Sequence, residues 1–98
     1  MRVISNRVLR EFGRVHPDAA SPLQAWRRLM ETGSFASFAQ LKATFGSVDK
    51  VGSFFVFNMG GNKYRLVTAI HFNRQMVFVR AVMTHSEYDA GRWKERGR

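Results

Sequence analysis

The chain has 98 residues, 45% of them hydrophobic and nine of them Phe, and its 16 Lys and Arg against seven Asp and Glu give a formal net charge of +9. That much large apolar surface excludes a disordered tail, and no apolar run approaches the ~20 residues of a membrane-spanning helix. Cysteine is absent, which excludes a disulfide scaffold, thiol catalysis and Cys-ligated zinc or iron–sulfur sites. The length suits one domain with a small core of its own. Met1–Asn6 carries no apolar signal-peptide core, so a cytoplasmic protein is expected. The charge excess predicts a polyanionic partner: nucleic acid, an anionic membrane or an acidic protein.

Residues 1–33 have net charge +3, residues 34–60 +1 and residues 61–98 +5, and twelve of the sixteen cations are Arg. Arginine suits bidentate phosphate contacts better than a point charge does. Met1–Ser5 is expected to be a short strand. Asn6 then caps a helix to about His16, whose Val8, Leu9, Phe12 and Val15 make one apolar stripe with Arg7, Arg10 and Arg14 outside. Pro17 stops it. Ser21-Pro22-Leu23-Gln24 reads as the start of a second helix, with Gln24 closing a capping box. Leu23, Trp26, Leu29 and Met30 form its buried stripe and Gly33 its end. Ser37 and Gln40 repeat the capping spacing ahead of a short third helix with Phe38, Leu41 and Phe45.

From residue 54 the period changes. Phe54–Asn58 reads as a strand, and Met59-Gly60-Gly61-Asn62 as a turn with positive φ available. Lys63–Asn73 alternates, with Tyr64, Leu66, Thr68, Ile70 and Phe72 on one side and Arg65, Val67, Ala69 and His71 on the other. Asn73-Arg74-Gln75 turns again into a third strand, Met76–Thr84. The expected class is therefore α+β, with two to three N-terminal helices on one face of a small antiparallel sheet. A short helical turn and a basic tail follow over Glu87–Arg98.

No glycine-rich phosphate loop is present, and His16, His71 and His85 lack zinc-binding spacing. Two arginines interrupt apolar strands, Arg65 and Arg80. Each either snorkels or pairs with Glu87, Asp89 or Asp49, or the two converge on one phosphate. His85, Glu87, Tyr88 and Asp89 crowd the end of the last strand. Histidine is the side chain best suited to proton transfer near neutral pH, and Tyr88 either packs on the sheet edge or stacks on a base.

The stretches Phe55-Val56-Phe57-Asn58-Met59-Gly60-Gly61-Asn62-Lys63-Tyr64-Arg65-Leu66-Val67 and Arg80-Ala81-Val82-Met83-Thr84-His85-Ser86-Glu87-Tyr88-Asp89 resemble the HigB-type toxins of bacterial toxin–antitoxin pairs, within the RelE superfamily of mRNA interferases. Leu41–Asp49 and the order of the helices fit as well, so the resemblance covers nearly the whole chain. It implies a RelE-like fold, ribosome-dependent cleavage of mRNA without a metal or other cofactor, and neutralisation by a helix-turn-helix antitoxin of HigA type. Operator DNA would be met only through that antitoxin, and no membrane is involved. Arg65 matches the strand arginine directed at the scissile phosphate. His85 falls near the place where the wider superfamily often has an arginine, and HigB-type chains a histidine. The implied catalytic set is Arg65, Arg80, His85, Tyr88 and Asp89. Lys50, in the loop expected to enter the sheet, matches the region where relatives place a basic RNA-contacting residue, and Asn58, Lys63, Arg74, Arg92 and Lys94 are further expected RNA contacts. The rival readings are a non-catalytic basic nucleic-acid-binding module and a purely interactional protein with an acidic partner.

Overall fold

Two prolines organise the helical half of the computed structural model, which describes residues 1–91 and Trp93. Strand β1, Arg2–Ile4, leads into α1, Asn6–Val15, and α2, Pro17–Thr32. Pro17 both ends α1 and opens α2 from its first position, where the missing N–H costs nothing. The second helix thus begins before the Ser21 signal, and Pro22 lies inside it. The ring removes the bond to the Asp18 carbonyl, but that residue is exposed and water can satisfy it. Gln24 closes no capping box; its amide donates to Asn6 Oδ1 at 3.1 Å and ties α2 to α1. Ser5, rather than Asn6, occupies the N-cap of α1. The third helix, α3, Phe38–Thr44, is capped as expected, with Ser37 Oγ accepting from the Gln40 N–H.

The remaining elements are β2, Asp49–Val51; β3, Phe54–Met59; β4, Tyr64–His71; a 3-10 turn, Phe72–Arg74; β5, Met76–Thr84; and α4, His85–Ala90. They form one five-stranded sheet in the order β1-β5-β4-β3-β2. The expected antiparallel meander is present from β3 to β5. Two additions make the sheet larger and mixed. The segment entering the sheet, expected as a loop, is the edge strand β2, antiparallel to β3. At the other edge β1 pairs in parallel with β5; the three helices and the strands β2 to β4 lie between them in the chain, a connection long enough for a parallel pair.

Both sheet faces are covered. On one, Leu9, Leu23, Trp26 and Met30 of the helices pack on Phe55, Phe57, Leu66 and Val77. On the other, Phe54, Val56, Val67 and Met83 meet Trp93, with Tyr88 beside them. Arg80 makes this two-sidedness possible in β5. The register runs Val67 to Ala81 and then Thr68 to Val79, so Arg80 is the extra residue of a β-bulge. The one-residue slip lets Val77, Val79 and Val82 all join the helix-side core while Ala81 and Met83 join the other cluster. The C-terminal helix begins at His85, two residues before the expected start, because Thr84 and Glu87 form a full capping box.

Candidate active site

The second face of the sheet carries a row of polar groups at its β3–β4 turn end. Asn58 pairs with Arg65, and Arg65 with Met83, so these three residues share one face. Arg65 is only 8% exposed. Its Nη1 donates to the carbonyls of Asn62 at 3.1 Å and Tyr64 at 3.2 Å. Its Nη2 donates to Asn62 Oδ1 at 2.7 Å and faces His85 Nδ1 at 3.4 Å. The guanidinium carbon lies 5.7 Å from the centroid of the Tyr88 ring, within cation–π range. Among the described residues, no carboxylate reaches Arg65 within ion-pair distance. Glu87 is used in the helix cap, where the Thr84 N–H and then the Thr84 hydroxyl hold its carboxyl below the ordinary range. Asp89 is used by His85. The strand arginine is therefore buried and hydrogen-bonded with no direct carboxylate partner among the described residues, an arrangement that favours an incoming anion.

His85 opens α4, and its Nε2 lies 2.9 Å from Asp89 Oδ2, one helical turn on. A guanidinium nitrogen only donates. The Nδ1 that faces Arg65 is thus an acceptor, and Nε2–H donates to Asp89. The side chains of His85 and Asp89 are 43% and 63% exposed, so the pair borders solvent while Arg65 sits beneath it. Tyr88 stacks on Trp93 with ring centroids 5.0 Å apart, and the Trp93 indole N–H donates to the Tyr88 carbonyl at 3.0 Å. Burial, followed by the nearby Asp49 carboxylate, pushes the Tyr88 phenol up, with Arg65 opposing. Tyr88 is thus a neutral donor at working pH.

Arg65, His85, Tyr88 and Asp89 form one cluster, with Asn58 at its rim through an Nδ2 to Asn62 Oδ1 contact of 3.5 Å. The other expected residues lie elsewhere. Arg80 is exposed and sits three residues along β5 from Met83, the partner of Arg65, roughly 10 Å away along the strand. The two arginines do not converge, because the bulge and the strand rise separate them. Lys50 pairs with Phe55, which packs in the helix-side core; it therefore sides with the helices, and its Nζ donates to the Gly52 carbonyl. Lys63 forms an ion pair with Asp18 at 3.2 Å. The Asp18 carboxyl is held low chiefly by the Tyr64 hydroxyl, which donates to it at 2.6 Å. Arg74 lies in the turn after His71, at the opposite end of β4. Arg92 and Lys94 lie outside the described residues.

Asn62 is a site residue that the sequence pattern presented only as part of a turn. Its φ of +83° is one that asparagine tolerates better than most side chains. The capping box of α4 was legible in the Thr84-x-x-Glu87 spacing, and it sets the aim of His85.

A helical layer on one side of a mixed sheet, and a polar cluster around the buried Arg65 on the other, define a small α+β domain of RelE-like layout. The chain belongs to the HigB toxin family: residues 19–91 match the model of the HigB toxin, described as the RelE-like toxic component of a toxin–antitoxin system. It is 35% identical over 92 residues to the mRNA interferase toxin HigB of Escherichia coli strain K12, an alignment covering 91% of this chain and 88% of that one. It is similar to the same extent to the mRNA interferase HigB of Shigella flexneri. Its identity to the mRNA interferase HigB of Escherichia coli O6:H1 is 27%, over 91% of this chain and 89% of the relative. Arg65, His85, Tyr88 and Asp89 all fall within the matched segment.

Proposed function

We propose that the chain is an mRNA interferase, an endoribonuclease that stops translation by cutting mRNA, as its relatives are named. The observation that carries this reading is the buried Arg65, without a direct carboxylate partner among the described residues, beside a His–Asp pair. In the proposed reaction the 2′-hydroxyl oxygen of the substrate attacks the adjacent phosphorus. The P–O5′ bond breaks, leaving a 2′,3′-cyclic phosphate and a free 5′-hydroxyl. One proton leaves the 2′-oxygen and one reaches the 5′-oxygen, so no redox partner or metal is required.

Arg65 donates charge-assisted hydrogen bonds to the phosphate as negative charge builds on it. His85 moves a proton through Nδ1, the ring nitrogen turned toward Arg65, while Asp89 fixes the ring through Nε2. Tyr88 offers its ring to a base and its hydroxyl as a donor; base stacking contributes about 1–3 kcal/mol. Arg80, Lys50, Lys63, Arg74, Arg92, Lys94 and Asn58 remain proposed contacts for RNA. For Arg80, Lys50, Lys63 and Arg74 this means attraction around the site rather than contact with the reacting phosphate. We further infer that cleavage takes place on the translating ribosome in the cytoplasm, and that a HigA-type helix-turn-helix antitoxin neutralises the toxin and alone brings it to operator DNA. Among the described residues, no helix is long and apolar enough to cross a membrane.

The test is a defined mRNA incubated with translating ribosomes and the purified chain. Fragments with 5′-hydroxyl and cyclic-phosphate or 3′-phosphate ends are expected. They should be absent with Arg65→Ala and with a 2′-deoxy nucleotide at the cleavage site. Ends of 5′-phosphate and 3′-hydroxyl would reject the 2′-hydroxyl route. Salt-sensitive RNA binding with no cleavage at all would favour the non-catalytic basic module.

A further inference from the structure

One residue grips both arms of the Arg65 fork. The Asn62 main-chain carbonyl accepts from Nη1 at 3.1 Å, and its side-chain Oδ1 accepts from Nη2 at 2.7 Å. The Tyr64 carbonyl takes the second Nη1 proton at 3.2 Å, and His85 Nδ1 faces the second Nη2 proton at 3.4 Å. The His85 contact is the longest of the four, so it is the one an incoming phosphate oxygen displaces most easily. The other three keep the guanidinium plane fixed while that happens.

The chemistry of Asn62 suits this task in two respects. Its positive φ folds the turn back so that one residue presents both a main-chain and a side-chain oxygen to Arg65. Asn58 Nδ2 reaches the same Oδ1 at 3.5 Å, which favours the amide oxygen pointing inward. The acceptor is also neutral. An aspartate there would hold the fork equally well but cancel the positive charge that a phosphate needs.

We propose that Asn62 is a positioning residue of the cleavage reaction, holding Arg65 in plane without neutralising it, so that Nη2 and His85 Nδ1 flank the phosphate together. The proposal rests on the assignment of Arg65 to the scissile phosphate. Asn62→Gly separates the side chain from the turn, because glycine takes positive φ freely. With this variant, kcat on ribosome-bound mRNA should fall about 10- to 100-fold while KM stays within about threefold. The NMR signals of the Arg65 Nη protons, expected to be distinct in the parent chain, should merge in this variant as the guanidinium begins to rotate. Asn62→Asp should keep those signals distinct and still lose cleavage to a similar degree.

Distinct Arg65 signals in Asn62→Gly would overturn the proposal. So would a kcat within about twofold of the parent while Arg65→Ala is inactive. Full activity in Arg65→Ala would overturn the underlying phosphate assignment and with it any catalytic role for Asn62. The NMR signals then report separately whether Asn62 holds the guanidinium.

Discussion

The two faces of the sheet use the same strands for opposite ends. Strand β4 sends Leu66, fully buried, into the helix-side core, and the adjacent Arg65 into the second face. The helix side is a continuous apolar layer in which Trp26 meets Phe57 edge-on at 5.4 Å. The second side has a smaller apolar cluster, Phe54, Val56, Val67, Met83 and Trp93, and its polar row lies at one end. Stability is concentrated on one face, and the chemistry lies at the rim of the other. A buried cation is tolerable there because backbone carbonyls and an amide oxygen, rather than a carboxylate, satisfy its donors.

The strongest way to break this division is to alter neighbouring residues of β4. Arg65→Ala should lower cleavage about 10²–10³-fold and leave a cooperative thermal transition close to the parent's. Leu66→Ala should do the reverse, costing about 2–5 kcal/mol in chemical denaturation with folded protein still able to cut. If Arg65→Ala unfolds the domain instead, the second face is structural and the division fails. His85→Ala should cost about 10²-fold in rate. Asp89→Asn should cost less, because Asp89 acts on the reaction only through the imidazole.

Smaller effects sharpen the picture. The Glu87 carboxyl is held below its ordinary value of 4.5 by the Thr84 N–H. A carboxyl depressed in the fold stabilises above its unfolded pKa and loses that contribution as pH falls through the folded value. Glu87→Gln should therefore flatten part of the loss of stability on acidification below about pH 5, as read from thermal midpoints across pH. The smallest change is expected from Arg74→Ala, which lies at the far end of β4. It should weaken binding slightly, reduce the salt slope by less than about one unit and leave kcat unchanged.

Much of this layout was legible in the residues. The change of period near residue 54 separates helices from strands, and the Gly60-Gly61 turn fixes the β3–β4 hairpin that brings Asn58 opposite Arg65. The charged interruption at Arg65 marked the site because a guanidinium inside an apolar strand requires partners. The same signal at Arg80 had another cause, a bulge that re-phases β5 so that valines two and three residues apart reach one core. Sequence periodicity records polarity but not register, so the two arginines looked alike. Lys50 and Lys63 are both expected as RNA contacts, whereas the fold turns one to the helix side and pairs the other with Asp18, 45 residues away in sequence.

By itself, then, the sequence determined the α+β class, the three central strands and the few polar residues that carry the site, because these follow from local periodicity and turn chemistry; the helix faces it gave only in part, since Val15 and Leu29, expected in the apolar stripes, are 74% and 50% exposed. Only the tertiary structure decided that β1 pairs in parallel with β5, that β2 closes the other edge, and that Asn62, Arg65, His85 and Asp89 form one connected line. Those outcomes depend on strand register and on which face a residue occupies. A single bulge or an added edge strand changes them without altering the local pattern.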